Sequence, residues 1–301
     1  MAKYNYKQKN NTRKKKFNKL KCAPRMTSKI NKDLQHLSCY SQEDLLLMKD
    51  SWNENNSKKI ISNNPKNIWT FLKDNLNDKC YDELCWLKDN NFENINKEFV
   101  IKNTFRPFSP KSWNSKPYTW LSSVDIIKVM KQYEMKYPCF KFIGPSAIDF
   151  DDKINNKCVF SELCNFNLSK HLELYPKKKK IGIIFNLDPH YKGGSHWVAL
   201  FINVKKKFIF YFDSNGANVP LRITKFINRV ISQGEKLNIK FRYYNNANVE
   251  HQKKDGQCGM YVLYFIVQFL RELKSPKYFL TNRITDEEMR DYRKKYFNSS
   301  E

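Results

Sequence analysis

The chain has 301 residues, of which 41% are hydrophobic and 15% aromatic, and it sets 55 Lys and Arg against 30 Asp and Glu for a formal charge of +25. That length suits one or two domains with a sizeable core, and the aromatic content excludes global disorder. Eight glycines and eleven prolines exclude collagen-like and Pro-rich classes. No run of 18 apolar residues occurs, so no membrane span is expected. The first residues lack the apolar segment of a secretory signal, which points to an intracellular protein.

Residues 1–25 carry ten Lys or Arg and no acid, Arg13-Lys14-Lys15-Lys16 among them. They read as a disordered basic arm. With the basic runs at 177–180 and 205–207, the arm favours acidic partners, nucleic acid first. Abundant Lys and Asn throughout would equally follow from AT-rich coding. None of the eight cysteines forms a C-x-x-C pair. The expectation is buried small hydrophobes, with neither a disulfide framework nor structural zinc.

In chain order, Ser41-Gln42-Glu43-Asp44 resembles a capping box ahead of Leu45, Leu46, Leu47 and Met48, and predicts a helix. A polar stretch over 53–67 interrupts it. Helical spacing resumes at Ile68, Trp69, Phe71, Leu72 and Leu76, then at Leu84 to Leu87. Residues 26–103 therefore read as a helical accessory region. Residues 104–117 hold three prolines and read as a linker, leaving 118–301 as a second domain.

There a helix follows Trp120-Leu121, capped by Ser122 or Ser123. Phe140–Ile143, Ile181–Leu187, His196–Val204, Phe208–Asp213 and Ile239–Tyr243 are strand candidates. Pro220 opens a helix to about Gln233. Gly256-Gln257-Cys258-Gly259 precedes an apolar helix to Leu273, and a charged helix covers about Thr285–Tyr296. No clean βαβ repeat is present, so the fold class is α+β with a mixed sheet.

Cys258 opens an apolar helix, where free N–H groups and the macrodipole favour a thiolate. Gly256 and Gly259 allow a backbone to approach closely. A nucleophilic cysteine needs a base and an orienting group. His196 begins one strand of a hairpin and Asp213 ends the next, though their unequal lengths call for a bulge or a shifted turn. Asp213-Ser214-Asn215-Gly216 read alone is also a plain turn. His190 and His251 are rival bases; His196 is preferred for its strand and its neighbouring Trp197.

Ser195-His196-Trp197, Phe212-Asp213-Ser214 and Gln252-x5-Cys258-Gly259, with the early Trp120-Leu121, resemble the SUMO-protease and adenovirus-protease superfamily, the clan CE cysteine peptidases. The resemblance covers about 118–273. It implies a papain-like sheet flanked by helices, with Cys258 as nucleophile, His196 as base and then acid, and Asp213 holding the imidazolium. Gln252 and the Cys258 N–H would form the oxyanion hole. Trp120 and Trp197 would form a narrow slot for Gly-Gly, and no metal or cofactor is needed. Two departures stand out. Ser122-Ser123 replaces Asn-Asp after the Trp-Leu, which counts against SUMO in particular. Gln257 replaces the family's frequent acid before the nucleophile, and its side chain is expected to point away.

The helical region and basic texture resemble most the maturation proteases of large nucleocytoplasmic DNA viruses. The implied function is an endopeptidase cutting viral structural precursors after Gly-Gly in the virion and at cytoplasmic assembly sites, with nucleic acid as a partner through the basic arm. The alternatives are an isopeptidase of ubiquitin-like modifiers and a non-enzymatic basic nucleic-acid-binding virion protein.

Overall fold

The computed structural model describes residues 19–24, 32–76 and 78–299. Most of the basic arm lies outside them. The chain divides into two compact units, one of residues 1–22 and 30–105, the other of 23–29 and 106–301.

The first unit is helical: α1 (Lys32–Leu37), α2 (Gln42–Asn55), α3 (Pro65–Leu76), α4 (Glu83–Trp86) and α5 (Lys97–Thr104). The capping box at Ser41 forms: its side chain accepts from Asp44 N, and Asp44 accepts from Ser41 N. The polar stretch after Asn55 ends α2, and Pro65 opens α3 without needing an N–H. Leu45, Trp52, Ile68, Trp69, Leu72 and Trp86 are buried in the core. Glu83 is buried among donors. Its carboxylate accepts from Ser38 Oγ (2.5 Å), Cys39 N (3.1 Å) and Trp69 Nε1 (2.7 Å). Burial nonetheless raises its pKa, outweighing those donors.

The second unit opens with a 3-10 turn at Lys111–Asn114 that buries Trp113, inside the stretch read as a linker. α6 (Ser123–Lys136) follows, with Ser122 as its cap in a second capping box with Asp125. A five-stranded sheet is built from β1 (Phe140–Ala147), β4 (Lys180–Asn186), β5 (Trp197–Asn203), β6 (Phe208–Phe212) and β7 (Arg242–Asn245), in that order. β1/β4 and β6/β7 are parallel and the two inner pairs antiparallel, so the sheet is mixed and the α+β expectation holds. A two-stranded hairpin, β2 (Lys153–Ile154) and β3 (Lys157–Cys158), lies outside it. The remaining helices are α7 (Ser161–Cys164), α8 (Leu168–Leu174), α9 (Leu221–Glu235), α10 (Cys258–Leu270), α11 (Pro276–Thr281) and α12 (Asp286–Tyr296).

Successive side chains of a strand face opposite ways. In β5, Trp197, Ala199 and Phe201 join the core that contains α10, and Val198, Leu200 and Ile202 join the core that contains the apolar face of α9. Covered on both sides, the strand reads as a continuous apolar run. α10 is buried at every position and packs on β5.

The expectation about cysteines is corrected. Cys22–Cys39, Cys80–Cys85 and Cys158–Cys164 are disulfide-bonded, while Cys139 and Cys258 are free. Turns bring the two short pairs to Cα separations of 5.3 and 6.2 Å, within bridging range. A search for C-x-x-C spacing cannot find them.

Candidate active site

Cys258 is the first residue of α10 and is almost fully buried. Two contacts fix the turn before it. Gly256 has φ of +87°, and a Cβ there would lie 2.3 Å from Tyr118 O and 3.2 Å from Trp120 Cδ1. At Gly259 a Cβ would come within 2.8 Å of Leu121 Cβ. Both glycines therefore let the start of α10 seat against the Tyr118–Leu121 strip.

His196 sits one residue before β5 and Asp213 one residue after β6. The hairpin runs in register without a bulge, Asn203 opposite Phe208 and Ala199 opposite Phe212. The anticipated bulge is therefore not needed: the two side chains meet beyond the last pair. His196 Nε2 lies 2.6 Å from Asp213 Oδ1. That leaves Nδ1 free of Asp213, and Cys258 is close enough to act on the same ring. Burial disfavours the imidazolium. The hydrogen bonds and charges of Asp213 and Cys258 outweigh it and lift His196 from 6.5 to about 9.

Asp213 is itself held in place. Its Oδ1 accepts from Asn215 N at 2.8 Å. Asn246, also buried, takes the Asp213 N–H on Oδ1 (2.9 Å) and gives Nδ2 to the Asp213 carbonyl (2.6 Å). Sequence reasoning missed Asn246, which has no motif around it.

Gln252 is buried, and its Oε1 accepts from Ser214 Oγ at 2.9 Å. The two ends of a carboxamide point apart, so this bond turns Nε2 away from Ser214 as a donor. The backbones of His251 and Gln252 also both donate to Ser214 O, at 2.8 and 2.9 Å. The segment after β6 thus carries both the orienting acid and the anchor of Gln252.

The two tryptophans differ. Trp120 is 44% exposed beside Gly256, whereas Trp197 is 7% exposed and spends its Nε1–H on Leu121 O (2.9 Å). Trp197 thereby anchors the strip that presents Trp120. Of the rival histidines, His251 is fully buried and accepts from Ile284 N on Nδ1. Burial holds its pKa down at about 4, so it is neutral and a poor proton acceptor at neutral pH. His190 pairs with Asp149 at 2.7 Å in a separate dyad. Gln257 does not point free: its Oε1 accepts from Arg293 Nε at 3.1 Å.

Among the described residues no helix is long and apolar enough to cross a membrane. The fold matches crystal structures of a protease of African swine fever virus, one with a TM-score of 0.65 at 20% identity over 93% of this chain and 96% of that one. In sequence the chain is 31% identical to a thiol protease of Acanthamoeba polyphaga mimivirus over 210 residues, 67% of this chain. That stretch spans 63% of the mimivirus protein's own length. It is 29% identical to a SUMO-1 cysteine protease of African swine fever virus over 187 residues, 59% of this chain and 67% of that protein. The pattern of the Ulp1 protease family, C-terminal catalytic domain, matches residues 119–301, which include all six positions singled out from the sequence. With more than half its length inside that match, the chain belongs to the Ulp1 protease family.

Proposed function

We propose that the chain is a thiol endopeptidase that cuts viral structural precursors after a Gly-Gly pair during virion maturation. The observation that carries the reading is one imidazole bonded at 2.6 Å to a buried carboxylate, with a buried thiol at a helix N-terminus close enough to act on the same ring. An imidazole raised to about 9 is charged at neutral pH and carries the proton a departing amine needs.

The thiolate attacks the scissile carbonyl, and the carbonyl oxygen takes the negative charge. Gln252 Nε2 and the Cys258 N–H donate to that oxygen. His196 gives its proton to the departing amine as the C–N bond breaks, leaving a thioester on Cys258. The now neutral His196 then takes a proton from water, whose oxygen attacks the thioester and releases the acid. Asp213 keeps the ring oriented in both steps. Trp120, exposed beside Gly256, forms one wall of the path to the thiol. A flat indole near the nucleophile suits residues without side chains, which is the physical reason for Gly-Gly.

The basic arm would bind nucleic acid or an acidic precursor by charge, in the virion and at cytoplasmic assembly sites. A second reading, an isopeptidase of ubiquitin-like modifiers, is favoured by the family and by relatives named as SUMO-1 cysteine proteases. Peptide and isopeptide carbonyls present the same chemistry to the site.

The test compares a Gly-Gly-Ala reporter peptide with a SUMO reporter, using wild type and Cys258→Ala, with and without DNA. The expected outcome is turnover of the peptide, lost in Cys258→Ala and faster with DNA. Turnover of the SUMO reporter alone would replace the reading by the modifier-protease one. No turnover, with an unreactive Cys258, would leave a basic binding protein.

A further inference from the structure

Gln257 is the residue before the nucleophile, and it is a helix N-cap that does no capping. It sits at φ −105° and ψ −8° with no side-chain bond to the start of α10. Its amide oxygen goes instead to Arg293, 36 residues away on α12. The same guanidinium donates Nη2 to Gly256 O at 2.9 Å, so one side chain holds both residues that precede Cys258. Arg293 is 5% exposed and stacks over the Trp113 ring at 4.3 Å.

Both oxygen acceptors are neutral, and among the described residues no ion pair to Arg293 is found within 4.0 Å. Its Nη1 is buried without a hydrogen-bond partner. A buried cation with no ion-pair partner in contact is costly, and nearby anions offset that cost from a distance, Asp125 among them. α10 contains no charged residue at all. Asp213 and Cys258 act on His196, and Cys258, Tyr118 and Asp125 act on Arg293; farther along α10, Asp286 on α12 accepts from Tyr261 OH at 3.0 Å and Lys180 on β4 donates to Leu270 O at 2.8 Å. Asp125 is engaged at Ser122, bonding both its N–H and its Oγ.

We infer that Arg293 is a positioning residue for the nucleophile: it fixes the Gly256–Gln257 turn that sets Cys258 at the head of α10, and its unpaired buried charge favours the Cys258 thiolate. Burial lowers the Arg293 pKa to about 10, so it is still cationic at neutral pH, and Cys258 leads the groups acting to raise it. The neutrality of Gln257 is part of the arrangement, since an acid there would quench the charge.

The inference rests on Cys258 being the nucleophile of a thiol protease. Its test does not need a substrate. The rate of iodoacetamide alkylation of Cys258 is measured from pH 4 to 10 in the full chain, with the modified peptide resolved by mass spectrometry from the one containing Cys139. Gln257→Glu keeps an acceptor for Arg293 Nε and supplies a counter-ion. It should move the thiolate midpoint up by about one pH unit, slowing alkylation about tenfold below both midpoints, with no loss in unfolding temperature. Arg293→Gln should shift the midpoint the same way. Arg293→Lys should hold the midpoint near wild type while lowering peptide turnover, because one ammonium does not reproduce the two-pronged grip.

A purely structural arginine would leave the Arg293→Gln midpoint at the wild-type value, and that result overturns the inference. Should Arg293→Gln not fold, Arg293→Met, which keeps an apolar stem against Trp113, is read the same way. If Cys258 alkylates as expected while the Gly-Gly-Ala peptide is not cleaved, the endopeptidase reading fails, and the hold of Arg293 on the Cys258 thiol stands for either protease reading.

Discussion

Asp213→Asn removes a charge from the centre of the site while keeping an acceptor for His196. The rise of His196 from 6.5 to about 9 is a gain of about 2.5 pH units, or ~3 kcal/mol in favour of the imidazolium. Burial opposes this gain, and Asp213 leads the contributions that produce it, ahead of Cys258. Losing the carboxylate charge should therefore remove ~2 kcal/mol of it. His196 is 14% exposed and Asp213 1%, so solvent screens the pair little.

The sign follows from the direction of the shift. A folded-state pKa raised above the unfolded value stabilises the fold fully below about 6.5, and that contribution is lost as pH rises through about 9. The stability gap between wild type and Asp213→Asn should then narrow by ~2 kcal/mol between pH 6 and 9.5. Urea unfolding at four pH values measures the gap, and taking the difference cancels the pH dependence of the rest of the chain. The His196 ring resonances should titrate near 9 in wild type and at least one pH unit lower in the variant. A gap that stays constant with pH, with His196 titrating alike in both proteins, would refute the electrostatic account of the pair.

Other variants probe the supports. Gln252→Ala should lower kcat about 10²–10³-fold, while iodoacetamide still alkylates Cys258 at the wild-type rate, because an oxyanion donor acts only once a carbonyl is attacked. Gly256→Ala places a Cβ 2.3 Å from Tyr118 O at φ of +87°. It should lower stability by ~1–3 kcal/mol and kcat/KM at least tenfold, read by thermal unfolding and peptide turnover. Asn246→Ala leaves the Asp213 N–H and carbonyl without the partners seen at 2.9 and 2.6 Å. It should cost ~2–4 kcal/mol in urea unfolding and loosen the hold on His196.

The legible parts of the molecule are those whose partners lie close in sequence or whose burial is total. Ser41 and Ser122 cap α2 and α6 through acids three residues on, and the cue is local. β4, β5 and β6 are buried on both faces, so their apolar runs end within a residue or two of the expected limits. β7 lies at the sheet edge and pairs in parallel with β6, so its register is set by a distant partner. It occupies Arg242–Asn245 rather than the expected Ile239–Tyr243. The exposed two-residue strands β2 and β3 carry no alternation to read. In the site, Cys258, His196, Asp213 and Gln252 stand in spaced motifs. Their supports are polar residues facing partners far along the chain: Asn246 to Asp213 across 33 positions, Arg293 to Gln257 across 36 and Ser214 to Gln252 across 38. Nothing local marks such residues, and only the folded chain identifies them.

α10 is enclosed on every side, and its first residue is the thiol. Substitutions that retune this helix disturb the core before they retune selectivity, so the nucleophile inherits the rigidity of the interior. Freedom to vary lies elsewhere, in the exposed Tyr118 and Trp120 and in the loop that carries Tyr191 and Lys192 ahead of His196. On the proposed function, discrimination rests on those exposed side chains and chemistry on α10. Because Tyr118 O and Leu121 Cβ press on Gly256 and Gly259, only the side chains of the strip, not its backbone, can change without disturbing the thiol.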